Sequence, residues 1–174
     1  MTDKELWDAI KSGDREAFSS LYHKYIQLLY NYGLKLTADQ ELLKDVLQEL
    51  FTEFWFRRST LSDVEKTNLY LIKSLRFKLI SAIRKNASPN TISLDDLLKL
   101  IQVPQSEDDE LSSERIERMK IELTSLPERQ REILHLKYFQ NFTNEQISEI
   151  VNINYQSVSN LLYRALSNFR KKVD

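Results

Sequence analysis

Two glycines and three prolines among 174 residues leave this chain few of the tight turns that join strands into sheets. Its heavy use of Leu, Ile, Lys and Glu favours helix instead, so the expected fold class is all-α. A chain of this length can form one domain or two small ones, each with its own core. The absence of cysteine excludes disulfides, thiolate catalysis and cysteine-rich zinc sites, and it fits the reducing cytoplasm expected as the location. The opening MTDKELWDAIKSGD is charged and amphipathic, unlike a secretory signal. No apolar run approaches the roughly 20 residues that span a bilayer, so no membrane insertion is expected.

Helical periodicity divides the chain into three parts. In the first, residues 1–86, the spacing predicts helices at about 3–12, 15–36, 39–58 and 66–86, with Asp14 and Asp39 as caps for the second and third. Phe18, Leu21, Tyr22, Tyr25, Leu28, Leu29 and Tyr32 form one apolar stripe, and Leu42, Leu43, Val46, Leu50 and Phe54 form another. Residues 87–114 lose this regularity and hold two of the three prolines, with a short helix expected at Leu94 to Ile101. Periodicity resumes in residues 115–174 through Ile116, Met119 and Leu123, and Pro127 with Glu128 opens a further helix. About four short helices are expected there, so the architecture is two small helical domains and a linker.

Charge follows the same division. The net charge is −1, but residues 1–85 carry 14 basic and 12 acidic groups, residues 86–114 carry 1 and 7, and residues 115–174 carry 10 and 7. The linker is therefore acidic. No acid falls between Glu65 and Asp95, whereas Lys66, Lys73, Arg76, Lys78, Arg84 and Lys85 all do. Such a segment suits a polyanion. Tyr70 and Phe77 interleave with these cations, and aromatic rings can stack on bases that have left a duplex. Seven residues apart on a helix, they can equally be core.

The segment from Phe142 to Lys172 reads as a helix-turn-helix. Thr143 and Gln146 have the spacing of a capping box. Ile147, Ile150 and Val151 then form an inner stripe, Asn152 stands where a left-handed turn is needed, and Ile153 fills the corner. Asn154 can cap a second helix whose Val158, Leu161 and Leu162 face inward. Gln156, Ser157, Ser159, Asn160, Tyr163 and Arg164 remain for bases and phosphates. A helical hairpin with the same caps need not touch DNA.

Catalysis is not expected. His23 and His135 fall in separate domains and inside helical runs, and no Gly-rich phosphate loop, metal-spaced cluster or nucleophile motif is present. Trp7 and Trp55 read as packing residues, and no cofactor or metal is expected.

Two segments together resemble the sigma factors of bacterial RNA polymerase, specifically the small two-domain extracytoplasmic-function group. They are DVLQELFTEFW at Asp45 to Trp55 and LPERQREILHLKYFQNFTNEQISEI at Leu126 to Ile150, the latter leading into the helix-turn-helix. The resemblance covers most of the chain outside the linker. It implies a sigma factor that binds core RNA polymerase and directs promoter-specific initiation. Asp45, Gln48, Glu49 and Phe51 would then dock on the β′ clamp helices. The three polar groups lie within about one turn, with Val46 and Leu50 turned inward, although an ordinary solvated face has the same composition. Lys66, Asn68, Tyr70, Lys73, Arg76 and Phe77, with the loop at about Ser59 to Thr67, would engage the minus-10 element. Gln156, Ser157, Ser159, Asn160, Tyr163 and Arg164 would read the minus-35 element, while the C-terminal domain meets the β flap. Promoter DNA and an anti-sigma protein are further implied partners.

The sequence departs from the family pattern at several points. Tyr70 stands where tryptophan is frequent, Ser81 and Ala82 replace an acid followed by an aromatic or His, and Ser159 and Leu161 occupy positions that are often basic. Base readout is therefore expected to lean on amides and hydroxyls. The acidic linker, with Glu107, Asp108 and Asp109, could act as a nucleic-acid mimic in a basic channel. The alternative is a self-standing dimeric helix-turn-helix regulator, which would bind a palindrome as a symmetric dimer.

Overall fold

The computed structural model describes residues 1–64, 66–85 and 121–173, the side chains of residues 172 and 173 excepted. All regular structure among them is helical. The chain divides into two compact units, residues 1–88 and 89–174. The expected linker, its short helix, Glu107 to Asp109, and the start of the second domain at Ile116 and Met119 lie outside the described residues.

The first unit contains α1 (Asp3–Lys11), α2 (Arg15–Gly33), α3 (Gln40–Phe56), a 3₁₀ turn at Arg58–Thr60 and α4 (Thr67–Lys85). Each of the first three starts at a side-chain cap. Thr2 and Glu5 form a capping box on α1, Asp14 accepts from the amides of Glu16 and Ala17, and Asp39 accepts from that of Leu42. The expected caps at Asp14 and Asp39 are thus present. Helix α2 stops at Gly33, earlier than periodicity suggested, and α3 stops at Phe56.

Gly33 shows why α2 and α3 can approach closely at this end. A Cβ placed there would lie 2.2 Å from Cδ1 of the buried Leu43, so only glycine admits the contact. Leu21, Leu29 and Tyr32 of α2, Leu43 of α3, and Leu71, Ile72, Leu75 and Leu79 of α4 are fully buried. Each such leucine contributes about 1.5–3 kcal/mol on leaving water. An aromatic group continues this core: Trp7 of α1 stands edge-on to Phe54 of α3 and Tyr70 of α4, with ring centroids 5.1 and 5.2 Å away.

The described part of the second unit begins with helical residues 121–124 and continues through α5 (Glu128–Leu134), which passes into a π-helical turn at His135–Phe139. Helices α6 (Asn144–Val151) and α7 (Tyr155–Val173) follow. Ile133, Leu136, Phe142, Ile147, Ile150, Val158, Leu162 and Ala165 form its core. The π turn exposes Tyr138 and Phe139 while His135 is buried and stacked on Phe139, with centroids 5.3 Å apart.

Candidate functional site

The helix-turn-helix is built from local hydrogen bonds that its sequence specifies. The Thr143 hydroxyl accepts from the Gln146 amide, and the Gln146 side chain accepts from the Thr143 amide. Asn152 ends α6 in the left-handed conformation, with φ 54° and ψ 50°, and redirects the chain. The Asn154 side chain then accepts from the Ser157 amide at 2.7 Å and starts α7.

Helix α7 turns Val158, Leu162 and Ala165 into the core. Gln156, Asn160, Tyr163 and Arg164 lie on its exposed face, where the Gln156 amide donates to the Asn160 carbonyl oxygen at 3.3 Å. Tyr163 is 74% exposed. Ser157 and Ser159 flank this face and are half-buried. The Ser159 hydroxyl accepts from Asn144 on α6 at 3.3 Å, and Asn144 in turn accepts from Lys137 at 2.8 Å. Ser159 therefore helps fix the two helices, a role that sequence spacing did not reveal.

In the first unit, α4 carries a mixed basic and aromatic face. Lys66, Lys73, Phe77 and Arg84 recur at helical spacing and are exposed. Phe77 is 76% exposed, an unusual position for a large apolar ring. Tyr70 separates from it, because its ring packs on Trp7 and Phe54. Arg76 is half-buried, and the Asn68 side chain accepts from the Leu69 amide at 2.8 Å.

Asp45, Gln48 and Glu49 are exposed on α3, with Val46 and Leu50 beneath them. Phe51 is placed differently: it is 4% exposed, with its ring edge-on to Tyr22 and Phe18. An apolar groove of about 720 Å³ runs between α2 and α3, lined by Phe18, Tyr22, Phe51, Trp55, Phe56 and Gln48 among others. The groove joins α2 to the surface that the sequence placed on α3 alone. The half-exposed Tyr22, which reads as core by periodicity, forms one of its walls.

Comparison with known proteins accounts for both units. Residues 21–88 match the family model of Sigma-70 region 2, and residues 122–168 match that of Sigma-70, region 4. The ECF RNA polymerase sigma factor SigM of Bacillus subtilis (strain 168) is 28% identical over 146 residues, covering 83% of this chain and 88% of SigM. The chain belongs to the extracytoplasmic-function group of sigma factors. As such it acts with RNA polymerase in promoter-specific initiation of transcription.

SigW of the same organism, also named an ECF RNA polymerase sigma factor, is 22% identical to this sigma factor over 173 residues, covering 94% of this chain and 92% of SigW. Two solved structures share the fold. CnrH, in complex with the cytosolic domain of CnrY, has a TM-score of 0.67 and 16% identity, covering 97% of this chain and 95% of that one. The sigma factor RpoE from Bartonella quintana, in complex with the anti-sigma factor NepR, has a TM-score of 0.65 and 16% identity, covering 90% of this chain and 96% of that one. Among the described residues, no helix is long and apolar enough to cross a membrane.

Proposed function

We propose that this sigma factor reads its promoter at two points and docks on core polymerase through a third surface. The observation that carries this reading is the presence, in separate units, of a polar exposed face on a capped second helix and a basic-aromatic face on α4. Helix α7 enters the major groove of the minus-35 element, where Gln156, Asn160 and Arg164 meet base edges and Tyr163 reaches the backbone. Ser157 and Ser159 border this face, and Ser159, bonded to Asn144, fixes α7 against α6.

Helix α4 engages the minus-10 element. Lys66, Lys73 and Arg76 follow phosphates, and Phe77 stacks on an unpaired base, so binding energy offsets the cost of melting. Tyr70 and Asn68 support that surface through the core and the helix start. Asp45, Gln48 and Glu49, with the α2–α3 groove that Phe51 walls, dock on the β′ clamp helices, and the C-terminal unit meets the β flap. The protein has no catalytic chemistry of its own, works in the cytoplasm, and is held inactive by an anti-sigma protein. The two solved neighbours, each bound to a second protein, support this last assignment.

Purified sigma factor mixed with core RNA polymerase tests the reading. A stable complex that initiates at discrete promoters is expected, and Asp45→Arg with Gln48→Ala should weaken its assembly. Absence of a complex would overturn the docking assignment.

A further inference from the structure

We propose that Trp7 and Lys11 of α1 are positioning residues that hold the loop of residues 57–64 in the shape that captures the minus-10 element, an inference that rests on the minus-10 assignment above. Helix α1 precedes the residues that match Sigma-70 region 2. It nonetheless touches that loop at two places, and the turn that follows it borders the loop at a third.

The Trp7 indole N–H donates to the Ser62 carbonyl at 3.2 Å, while its ring is wedged between Phe54 and Tyr70. Lys11 Nζ lies 2.6 Å from the Asp63 carboxylate. Gly13, in the turn after α1 at φ +93°, faces Arg58: a Cβ there would lie at ordinary contact distance, 3.7 Å, from Arg58 Nε. Arg58 is itself set over the Trp55 ring at 4.4 Å and donates to the Trp55 carbonyl at 2.9 Å.

Helix α1 is also fastened on its far side. Asp3 accepts from Lys24 at 2.6 Å and from the Tyr25 hydroxyl, which ties α1 to α2. The helix is thus a fixed strut between the core and the loop. Residues 61–64 have no regular structure, so contacts from α1 supply order that the loop lacks. Ordering a binding loop in advance removes that cost from the binding step, and loosening it lowers the competent fraction.

The Lys11–Asp63 pair separates positioning from mere packing. Asp63 is largely exposed, and such pairs add little to fold stability. Loss of the pair should leave melting temperature and core affinity unchanged while weakening capture of the minus-10 strand.

The test uses the full chain assembled with core polymerase and a labelled single-stranded oligonucleotide carrying the minus-10 element of a promoter mapped with the wild-type holoenzyme. A second oligonucleotide has one base of that element replaced. Lys11→Met and Trp7→Phe should each weaken capture of the first oligonucleotide roughly fivefold, the scale of an exposed pair or one hydrogen bond. The exchange Lys11→Asp with Asp63→Lys should restore it. Unchanged capture of the first oligonucleotide by folded Lys11→Met, or no restoration by the exchange, would overturn the proposal while leaving the minus-10 assignment standing. A wild-type holoenzyme that does not discriminate would remove the assignment itself, and the proposal with it.

Discussion

Lys78 of α4 donates to Glu49 of α3 at 2.8 Å and to Glu53 at 3.0 Å, bridging the basic helix to the acidic face of its neighbour. Burial pulls Lys78 down, but the two carboxylates more than reverse this, and its pKa lies above the ordinary value. Lys78 in turn holds Glu49 below the usual carboxylate range. One cation of the basic segment thus braces the fold.

Stability should follow this bridge through pH. Glu49 has a depressed folded pKa, so its contribution is present above the unfolded value of about 4.3 and is lost as pH falls through the folded value. Lys78 has a raised folded pKa, so its contribution is full below about 10.4 and is lost as pH rises through the folded value. Thermal denaturation across pH should show a plateau between these limits. Because both carboxylates are substantially exposed, Lys78→Met should cost only about 1 kcal/mol at neutral pH and flatten the acid limb. An acid limb identical to wild type would contradict the bridge.

Phe77 and Tyr70 should separate in function. Phe77→Ala removes an exposed ring, so thermal stability should change by less than about 0.5 kcal/mol while capture of the minus-10 strand weakens by about 1–3 kcal/mol. Tyr70→Ala removes a ring from the aromatic core and should destabilise the fold by about 3 kcal/mol or more. Paired melting curves and oligonucleotide titrations check both, and equal strand binding by Phe77→Ala and wild type would refute the stacking role.

Asn152 sits in the left-handed region, which most side chains enter at a cost. Asn152→Ala should therefore destabilise the C-terminal unit by about 1 kcal/mol, whereas Asn152→Gly should be neutral or mildly stabilising. Calorimetry of the two variants gives the comparison, and an Ala variant as stable as the Gly variant would contradict the turn geometry.

Arg164 is an exposed cation on the face of α7 that carries Gln156, Asn160 and Tyr163. If it meets a guanine edge in the minus-35 element, Arg164→Ala should lose about 1–3 kcal/mol and relax one promoter position. Holoenzyme binding to a set of single-base minus-35 variants distinguishes this from phosphate contact, which would weaken all sites equally. Binding indistinguishable from wild type on every site would remove Arg164 from the interface.

Features that depend on neighbours three or four residues away were legible in the sequence. The caps at Asp14, Asp39, Thr143 and Asn154 and the left-handed Asn152 all stand where their local chemistry puts them. Long-range partners were not legible. Helical phase alone cannot separate Tyr70 from Phe77, since the Trp7 ring that covers one of them comes from α1. Phe51 falls on the expected docking helix, yet Phe18 and Tyr22 of α2 cover it. Lys78 counts as one of a run of cations until α3 brings two carboxylates to it. Ser159 likewise meets Asn144 only once the two helices have packed.

On the proposed function, one copy of this sigma factor, with core polymerase, reads two separated elements. In vitro transcription with purified holoenzyme on a mapped promoter tests it most directly. The promoter is compared with versions in which either element is scrambled, or about five base pairs, half a helical turn, are inserted between them. Initiation should fail on all three altered templates, with one copy of the chain bound per intact promoter. Initiation that survives scrambling of the minus-10 element, or binding of two copies to a palindrome without polymerase, would contradict the account.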